Sequence, residues 1–383
     1  MLRIFLTGDN HIGLKYANYT QGERLSQCRL DALRDMVQTA NSLECDIFAI
    51  TGDLFHGRRG LGKQIITEVA NILANFEEQV IVLPGNHDYY AGRLESSEGK
   101  DVWAHFEAAI STKENILLLT EYRPYDLHLR DEHVVIYPAF CQTKHSNPGE
   151  NNLGWIREQD IQPDQTYRIG MAHGAIEGQT IDREGSYFLM SQQELDAIPV
   201  DIWLVGHTHV PFPKLDPDTY REAGRIFNAG THVQTDISCN TEGNGFVIEI
   251  ESGNGQKRVH AKRYISGPVR FYRKEIHVNA GTSLSDALAC ELECLRDNSV
   301  VDVVLAGSVS EEDYQARQQI VNEALSRFLD TKYIDDTALT PIITEERIKR
   351  EYPETSFSAQ LLFKLLDNPK EAQLVYDLLK KCQ

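Results

Sequence analysis

The chain has 383 residues and no pair of cysteines spaced Cys-x-x-Cys. Its seven cysteines, at 28, 45, 141, 239, 290, 294 and 382, are odd in number and dispersed. That excludes a disulfide framework and a paired-cysteine zinc site, and it fits a reducing compartment. Cys290 and Cys294 lie one helical turn apart and read as small apolar helix positions. No apolar run approaches the ~20 residues of a membrane-spanning helix. Leu2 to Leu6 is apolar, but Asp9 and His11 follow at once, so no secretory signal and no membrane association are expected, and the expected location is cytoplasmic. Cations are outnumbered: 38 Lys and Arg face 57 Asp and Glu, for a formal net charge of -19. This excludes a protein coated in basic surface for nucleic acid. It leaves room for a local groove beside bound cations. Repeats and low-complexity segments are absent.

What is present is ordinary apolar material, 41% of the chain, enough for one large domain and a smaller one. Leu2–Thr7, Asp46–Thr51 and Val80–Leu83 read as near-continuous apolar strands. Between them, Leu25, Cys28, Leu33, Met36, Val37 and Ala40 mark a helix over roughly 23–43, and Ile65 to Phe76 marks another. Strand–helix alternation of this kind predicts βαβ units and a buried, largely parallel sheet. Asp101 caps a short helix. From 116 to 250 short strands dominate, at 116–119, 134–139, 167–172, 202–205, 225–228 and 245–250, with one helix opened by the capping box Ser191/Glu194. Another strand follows at 259–265. The pattern predicts a two-sheet α/β sandwich with helices on the outer faces over 1–268. Gly267-Pro268 marks a boundary. Residues 269–340 read as a compact βαβαβ unit and 341–383 as a helical tail, with helices at 356–367 and 369–381.

The stretch from Ile47 to His56 organises the rest. It is a buried strand running into a glycine turn that presents Asp53, at the kind of strand end where open α/β sheets bind ligands. Four other segments also follow apolar strands and end in oxygen or nitrogen donors: Asp9-Asn10-His11, Gly85-Asn86-His87-Asp88, His173, and Gly206-His207-Thr208-His209. Together they offer two carboxylates, an amide oxygen and several imidazoles, but no thiolate. Such a set suits Mn²⁺, Fe or Zn²⁺ better than structural zinc, and a carboxylate such as Asp53 is the natural bridge between two cations.

The ordered set Asp9-x-His11, Gly52-Asp53, Gly85-Asn86-His87-Asp88, His173 and Gly206-His207-x-His209 resembles the calcineurin-like metallophosphoesterase superfamily, over residues 1 to about 250. The resemblance implies two divalent ions, most often Mn²⁺, with Fe, Zn²⁺ or Mg²⁺ as alternatives. Asp9, His11, Asp53 and His209 would hold one, and Asp53, Asn86, His173 and His207 the other, with a water between them as nucleophile. Gly52-Asp53-Leu54-Phe55-His56 and Asp9-x-His11-x-Gly13 are similar to the double-strand-break repair nuclease branch, which includes SbcD-type exonucleases. That likeness implies that His56 positions the scissile phosphate and that the small C-terminal unit is a capping domain. It also implies DNA as substrate, at ends or single-stranded regions, a homodimer, and an SMC-like ATPase partner.

His87 follows a ligand position directly and is the expected general acid toward the departing oxygen. Asp88 would orient it or serve as a turn carboxylate. Arg58, Arg59 and Lys63 form either a solvated face or contacts to backbone phosphates. Tyr89-Tyr90 reads as a loop anchor. The leucine stripes of the tail either pack on the small domain or accept a partner helix. The resulting expectation is a two-metal DNA phosphodiesterase, exonucleolytic and also endonucleolytic. The rival is a small-molecule or cyclic-nucleotide phosphodiesterase or phosphatase on the same fold, toward which the acidity leans.

Overall fold

A computed structural model describes residues 1–92, 101–130, 132–162, 164–178, 185–239, 241–253, 256–279 and 281–381. Cys382 lies outside them. The chain forms two compact units, one of residues 1–17 and 21–270, the other of residues 18–20 and 271–383.

The first unit opens with β1 (Leu2–Thr7), α1 (Gly22–Ser42), β2 (Ile47–Ile50), α2 (Lys63–Ala74), β3 (Gln79–Val82), α3 (Val102–Ile110) and β4 (Ile116–Leu118). It continues with β5 (Tyr125–Leu129), β6 (Glu132–Ala139), α4 (Gly154–Arg157), β7 (Tyr167–His173), α5 (Gln192–Ala197), β8 (Ile202–Gly206), β9 (Arg221–Glu222), β10 (Ile226–Asn228), β11 (Gly243–Gly253) and β12 (Gln256–Ser266). One sheet runs β4-β3-β2-β1-β11-β12-β9 and the second β10-β8-β7-β6-β5. β1 to β4 are parallel neighbours, while β11 lies antiparallel to β1. All four residues of β2 are buried, as a central strand covered on both faces requires. Side chains of both sheets meet in one apolar core, with Phe5, Phe48 and Val82 from the first and Ile136, Met171 and Leu204 from the second.

Local chemistry places the helices. Asp101 accepts from the Trp103 backbone N–H at 2.8 Å, so the carboxylate caps α3. Ser191 and Glu194 form the capping box that starts α5. The stripe Leu25, Cys28, Leu33, Met36, Val37 and Ala40 turns α1 inward.

The second unit contains β13 (Arg270–Val278), whose first residue belongs to the first unit, then α6 (Leu284–Leu292), β14 (Ser299–Val309), α7 (Glu311–Leu325) and β15 (Ile334–Pro341). Its sheet order is β13-β14-β15, with β14 and β15 parallel. Three further helices follow: α8 (Glu345–Glu351), α9 (Phe357–Leu365) and α10 (Pro369–Lys381). They share a small core of Ile348, Tyr352, Ala359, Leu362, Ala372 and Tyr376. Not every tail leucine joins it, since Leu378 is exposed.

Glu351 is the polar hub of this tail. Arg347 Nε lies 3.1 Å and Lys380 Nζ 3.0 Å from its carboxylate, and the Tyr376 hydroxyl donates to it. Burial opposes the charge, but these three partners outweigh it and hold the carboxyl down at about 2. Its stabilisation is therefore full above the unfolded value near 4.5 and is lost as pH falls toward 2. Glu351→Gln should lower the unfolding free energy of the tail by about 1–2 kcal/mol at pH 7. Denaturant unfolding across pH should show this gap closing between about pH 5 and 3. A gap independent of pH would refute the ionic account.

Candidate metal centre

Register brings the loops to one level. Thr7 pairs with Ile50, Ile50 with Val82, and, in the second sheet, His173 with Gly206. The chain leaves β1, β2, β3 and β8 at these points, while His173 is the last residue of β7. The loops then interlock: Asp9 N–H donates to Gly52 O at 3.0 Å, and His11 N–H to Asp53 O at 2.8 Å. Asp9, His11, Asp53, His207 and His209 all have positive φ, between 44° and 107°. Non-glycine residues in such conformations persist only where the surroundings over-determine them. Close approach demands glycine at two flanking positions. A Cβ on Gly85 would sit 2.2 Å from Asp53 Oδ1, and one on Gly206 would sit 2.1 Å from Thr51 O.

The donors face one another. His11 Nε2 and His209 Nε2 are 2.9 Å apart. Asn86 Oδ1 lies 3.0 Å from His173 Nε2 and 3.2 Å from His207 Nδ1. Asp53 Oδ2 is 3.7 Å from His11 Nε2 and 3.6 Å from His173 Nε2, and Asp9 Oδ1 is 3.8 Å from His209 Nε2. His207 N–H donates to both carboxylate oxygens of Asp9, at 3.1 and 2.9 Å. His173 Nδ1 points at Thr51 O, 2.8 Å away, which assigns the proton to Nδ1 and leaves Nε2 facing two oxygens. So many ligand-type nitrogens and oxygens within hydrogen-bond reach of one another suit a shared positive centre. These residues therefore fit divalent cations: the ligand atoms of Asp9, His11 and His209, and those of Asp9, Asp53 and His173, each lie within 4.8 Å of one another.

Electrostatics agrees. Burial pushes the imidazoles of His207 and His209 down, to about 3 and about 4, and His11 well below its ordinary value, so all three are neutral donors at pH 7. Burial lifts the Asp9 carboxyl to about 7. At Asp53 burial again opposes charge, yet His173 and His11 prevail and hold the carboxyl far below the usual range. Burial disfavours a charged His173, but Asp53 prevails and raises it to about 9. In the metal-free chain a proton on His173 thus supplies charge that the oxygens demand.

Around this core the outcomes differ by residue. His56, His87 and His11 form an imidazole cluster, with His56 and His87 stacked at 5.5 Å and His11 edge-on to His87 at 4.9 Å. His87 N–H donates to Asp53 Oδ1 at 2.8 Å, and its ring Nδ1 faces the His56 carbonyl at 3.3 Å. The expectation that Asp88 orients this ring is corrected. Its buried carboxylate accepts from Phe55 N–H at 2.9 Å and Gly85 N–H at 2.7 Å, tying two donor-bearing loops together. Burial and the nearby Asp53 charge raise it to about 8. Of the three cations expected either to be solvated or to contact phosphate, Arg58 does neither. Arg58 is buried, pairs through Nε with Asp101 and lies over the Tyr89 ring. Arg59 and Lys63 are exposed. Tyr90 is a buried anchor packed edge-on to Phe140.

Two residues acquire roles not foreseen. His232 is buried with Nε2 at 2.8 Å from Arg29 O, on the main chain of α1. Arg29 itself is fully buried behind Asp9 and Asn10. A signal existed for it, because a lone arginine four residues from both Leu25 and Leu33 interrupts an apolar helix face. A cleft of about 550 Å³ opens beside the cluster, between His11, His56, His87 and His209 and the segment containing Thr235, Asp236, Ser238 and Thr241.

A two-sheet α/β sandwich that gathers such donors at its strand ends defines a metal-dependent phosphoester hydrolase. The family model "Calcineurin-like phosphoesterase" matches residues 2–211, more than half of the chain, and the chain belongs to that family. Family members use a dinuclear metal centre. Among solved structures, the chain is similar to TT1561 of Thermus thermophilus, at 12% identity over 67% of this chain and 99% of that one, with a TM-score of 0.39. It is also similar to a dimetal phosphatase from Danio rerio (10%, 60% and 88%, 0.34) and to a purple acid phosphatase from yellow lupin, Lupinus luteus (14%, 68% and 53%, 0.36). At these scores the family match carries the assignment. Among the described residues no helix is long and apolar enough to cross a membrane.

Occupation of the centre should displace the His173 proton. Titrating metal-free protein with Mn²⁺ at pH 8 should release roughly one to two protons, and affinity should rise with pH up to about 9. Calorimetry in buffers of different ionisation heat reads this directly, and a zero slope would show that no proton leaves.

Proposed function

We propose that the chain is a two-metal phosphodiesterase of the DNA repair nuclease branch, cleaving DNA exonucleolytically and also endonucleolytically with Mn²⁺ as its metal. The observation that carries this reading is the imidazole cluster of His56, His87 and His11. His56 is exposed at the cleft and stacked on His87, in addition to the residues that would hold cations. Two divalent ions held by the donor set would supply positive charge to the phosphoryl oxygens and lower the pKa of water. The chain's own residues do the rest. His87 donates a proton to the departing ester oxygen from a ring steered by the His56 carbonyl. His56 holds the scissile phosphate. Arg59 and Lys63 lie exposed close by in sequence and contribute phosphate contacts.

A small-molecule phosphodiesterase or phosphatase is the second reading. One observation favours it: among the described residues, those lining the cleft include no lysine or arginine. Parallel Mn²⁺ assays on linear duplex DNA, single-stranded DNA and bis-p-nitrophenyl phosphate separate the two. Cleavage of the small diester alone would decide for the second reading. In either case His87→Ala should lower kcat roughly 10²–10⁴-fold while Mn²⁺ stoichiometry is kept, and turnover at the wild-type rate would remove His87 from the acid role.

The tail is proposed to dock a partner helix, that of an SMC-like ATPase. Phe357, Leu374 and Leu378 are exposed on α9 and α10, which supports this reading. Such a partner should be retained by the full chain and lost when residues 355–383 are removed. Equal retention by both would rule the tail out.

A further inference from the structure

We propose that Arg29 is a positioning residue that sets the half of the metal centre built on Asp9. The proposal rests on the reading of the donor cluster as a two-cation site. Arg29 lies on α1, outside every donor-bearing loop, and its side chain is fully buried. A buried guanidinium ordinarily pairs with a carboxylate. This one does not: among the described residues no carboxylate lies within ion-pair distance, and its partners are carbonyl and hydroxyl oxygens.

The geometry of the fork explains why. Nε donates to Asn10 O at 2.9 Å, and Nη2 reaches Asp9 O at 3.5 Å. Nη2 also donates to Thr231 Oγ1 at 3.1 Å, and the Thr231 hydroxyl, with one proton, lies 2.9 Å from both Asp9 O and Val233 O. Nη1 donates to Val233 O at 3.1 Å, Gln234 O at 3.4 Å and the Tyr16 hydroxyl at 3.2 Å. One planar group therefore binds the carbonyls of Asp9 and Asn10, at the left-handed turn, and, from its other edge, the segment that runs on into the cleft wall at Thr235 and Asp236. The Asp9 carboxylate faces the opposite way, toward His209 and the His207 N–H. Arg29 holds the backbone so that the carboxylate has one direction to point.

Asp9 groups with His11 and His209 and also lies within 4.8 Å of the ligand atoms of Asp53 and His173, but its carboxylate is the only one beside His209, so the loss of this support should fall hardest on the cation position that includes His209. The position shared by Asp53, Asn86, His173 and His207 makes no contact with Arg29. Lysine keeps the charge but not the planar fork, so it cannot span both sets of carbonyls. A merely structural arginine would, when replaced, lower stability or loosen both positions alike.

The test is Mn²⁺ titration of the full chain by calorimetry and elemental analysis, with thermal melting as control. Wild type, Arg29→Lys, Arg29→Met and Thr231→Val are compared. Wild type should bind two ions. Both Arg29 variants should keep one at wild-type affinity and bind the other roughly tenfold or more weakly, with hydrolysis of bis-p-nitrophenyl phosphate restored by excess Mn²⁺. Thr231→Val, close to isosteric, should shift the same ion in the same direction by less. Two ions at wild-type affinity in all variants, or parallel loss of both, overturns the proposal. If neither Arg29 variant folds, Thr231→Val decides, and an unchanged second ion overturns it. A wild type that binds no ion overturns the two-cation reading itself, and the proposal with it.

Discussion

The first unit depends on one constraint: nitrogen and oxygen ligand atoms from four loops and one strand end converge inside a buried space. His11 against His209, and Asn86 against His173 and His207, are contacts that water would break if the loops were free. They persist because the backbone beneath them is pinned. Thr51 illustrates the economy of the arrangement. Its carbonyl fixes the His173 ring, and its hydroxyl lies 3.3 Å from both Thr7 O and Val205 O, so both sheets meet at one residue. Left-handed backbone at five donor residues is the conformational strain that this convergence requires.

Carboxylates divide the labour by environment rather than by type. Asp53 faces imidazoles, and His173 and His11 hold its carboxyl far below the usual range although burial opposes them. Asp88, one loop away, faces backbone N–H groups and apolar walls, and burial raises it to about 8. Both side chains are buried, yet one is poised to hold a cation and the other to fasten Phe55 to Gly85. The chain's net charge of -19 is therefore a poor guide to the potential at the centre. What matters there is the balance between buried carboxylates, neutral imidazoles and the guanidinium of Arg29.

This division explains what could be read from the sequence and what could not. The strands that carry donors were legible because they are continuous apolar runs ended by glycine, and strand ends are where the donors had to be. β5 was not, since Tyr-Asp-Leu-His-Leu alternates at a sheet edge and carries little apolar signal. α8 was missed for a similar reason: among its seven residues only Ile348 is buried. The set of donors was legible as residue types in order, but the direction of each side chain was not. Asp88, next to His87 in sequence, is instead held by the Phe55 and Gly85 N–H groups. Arg58 followed His56 in what looked like a cationic run, yet Asp101, from a helix start 43 residues on, takes it out of solvent.

Long-range partners of this kind also bear on substrate choice. Arg58, from the basic run that follows His56, is committed to Asp101. The wall opposite the imidazoles is instead hydroxyl-rich, with Asp236 accepting from the Ser238 hydroxyl and N–H. Among the described residues lining the cleft, a substrate meets imidazoles and hydroxyl groups but no lysine or arginine. Attraction of the phosphate is thus concentrated at the metal centre itself, and affinity for the rest of a long anion must come from groups outside this cleft. For a nuclease, that places discrimination among substrates in surfaces remote from the chemistry. For a small-molecule esterase, the cleft alone would suffice.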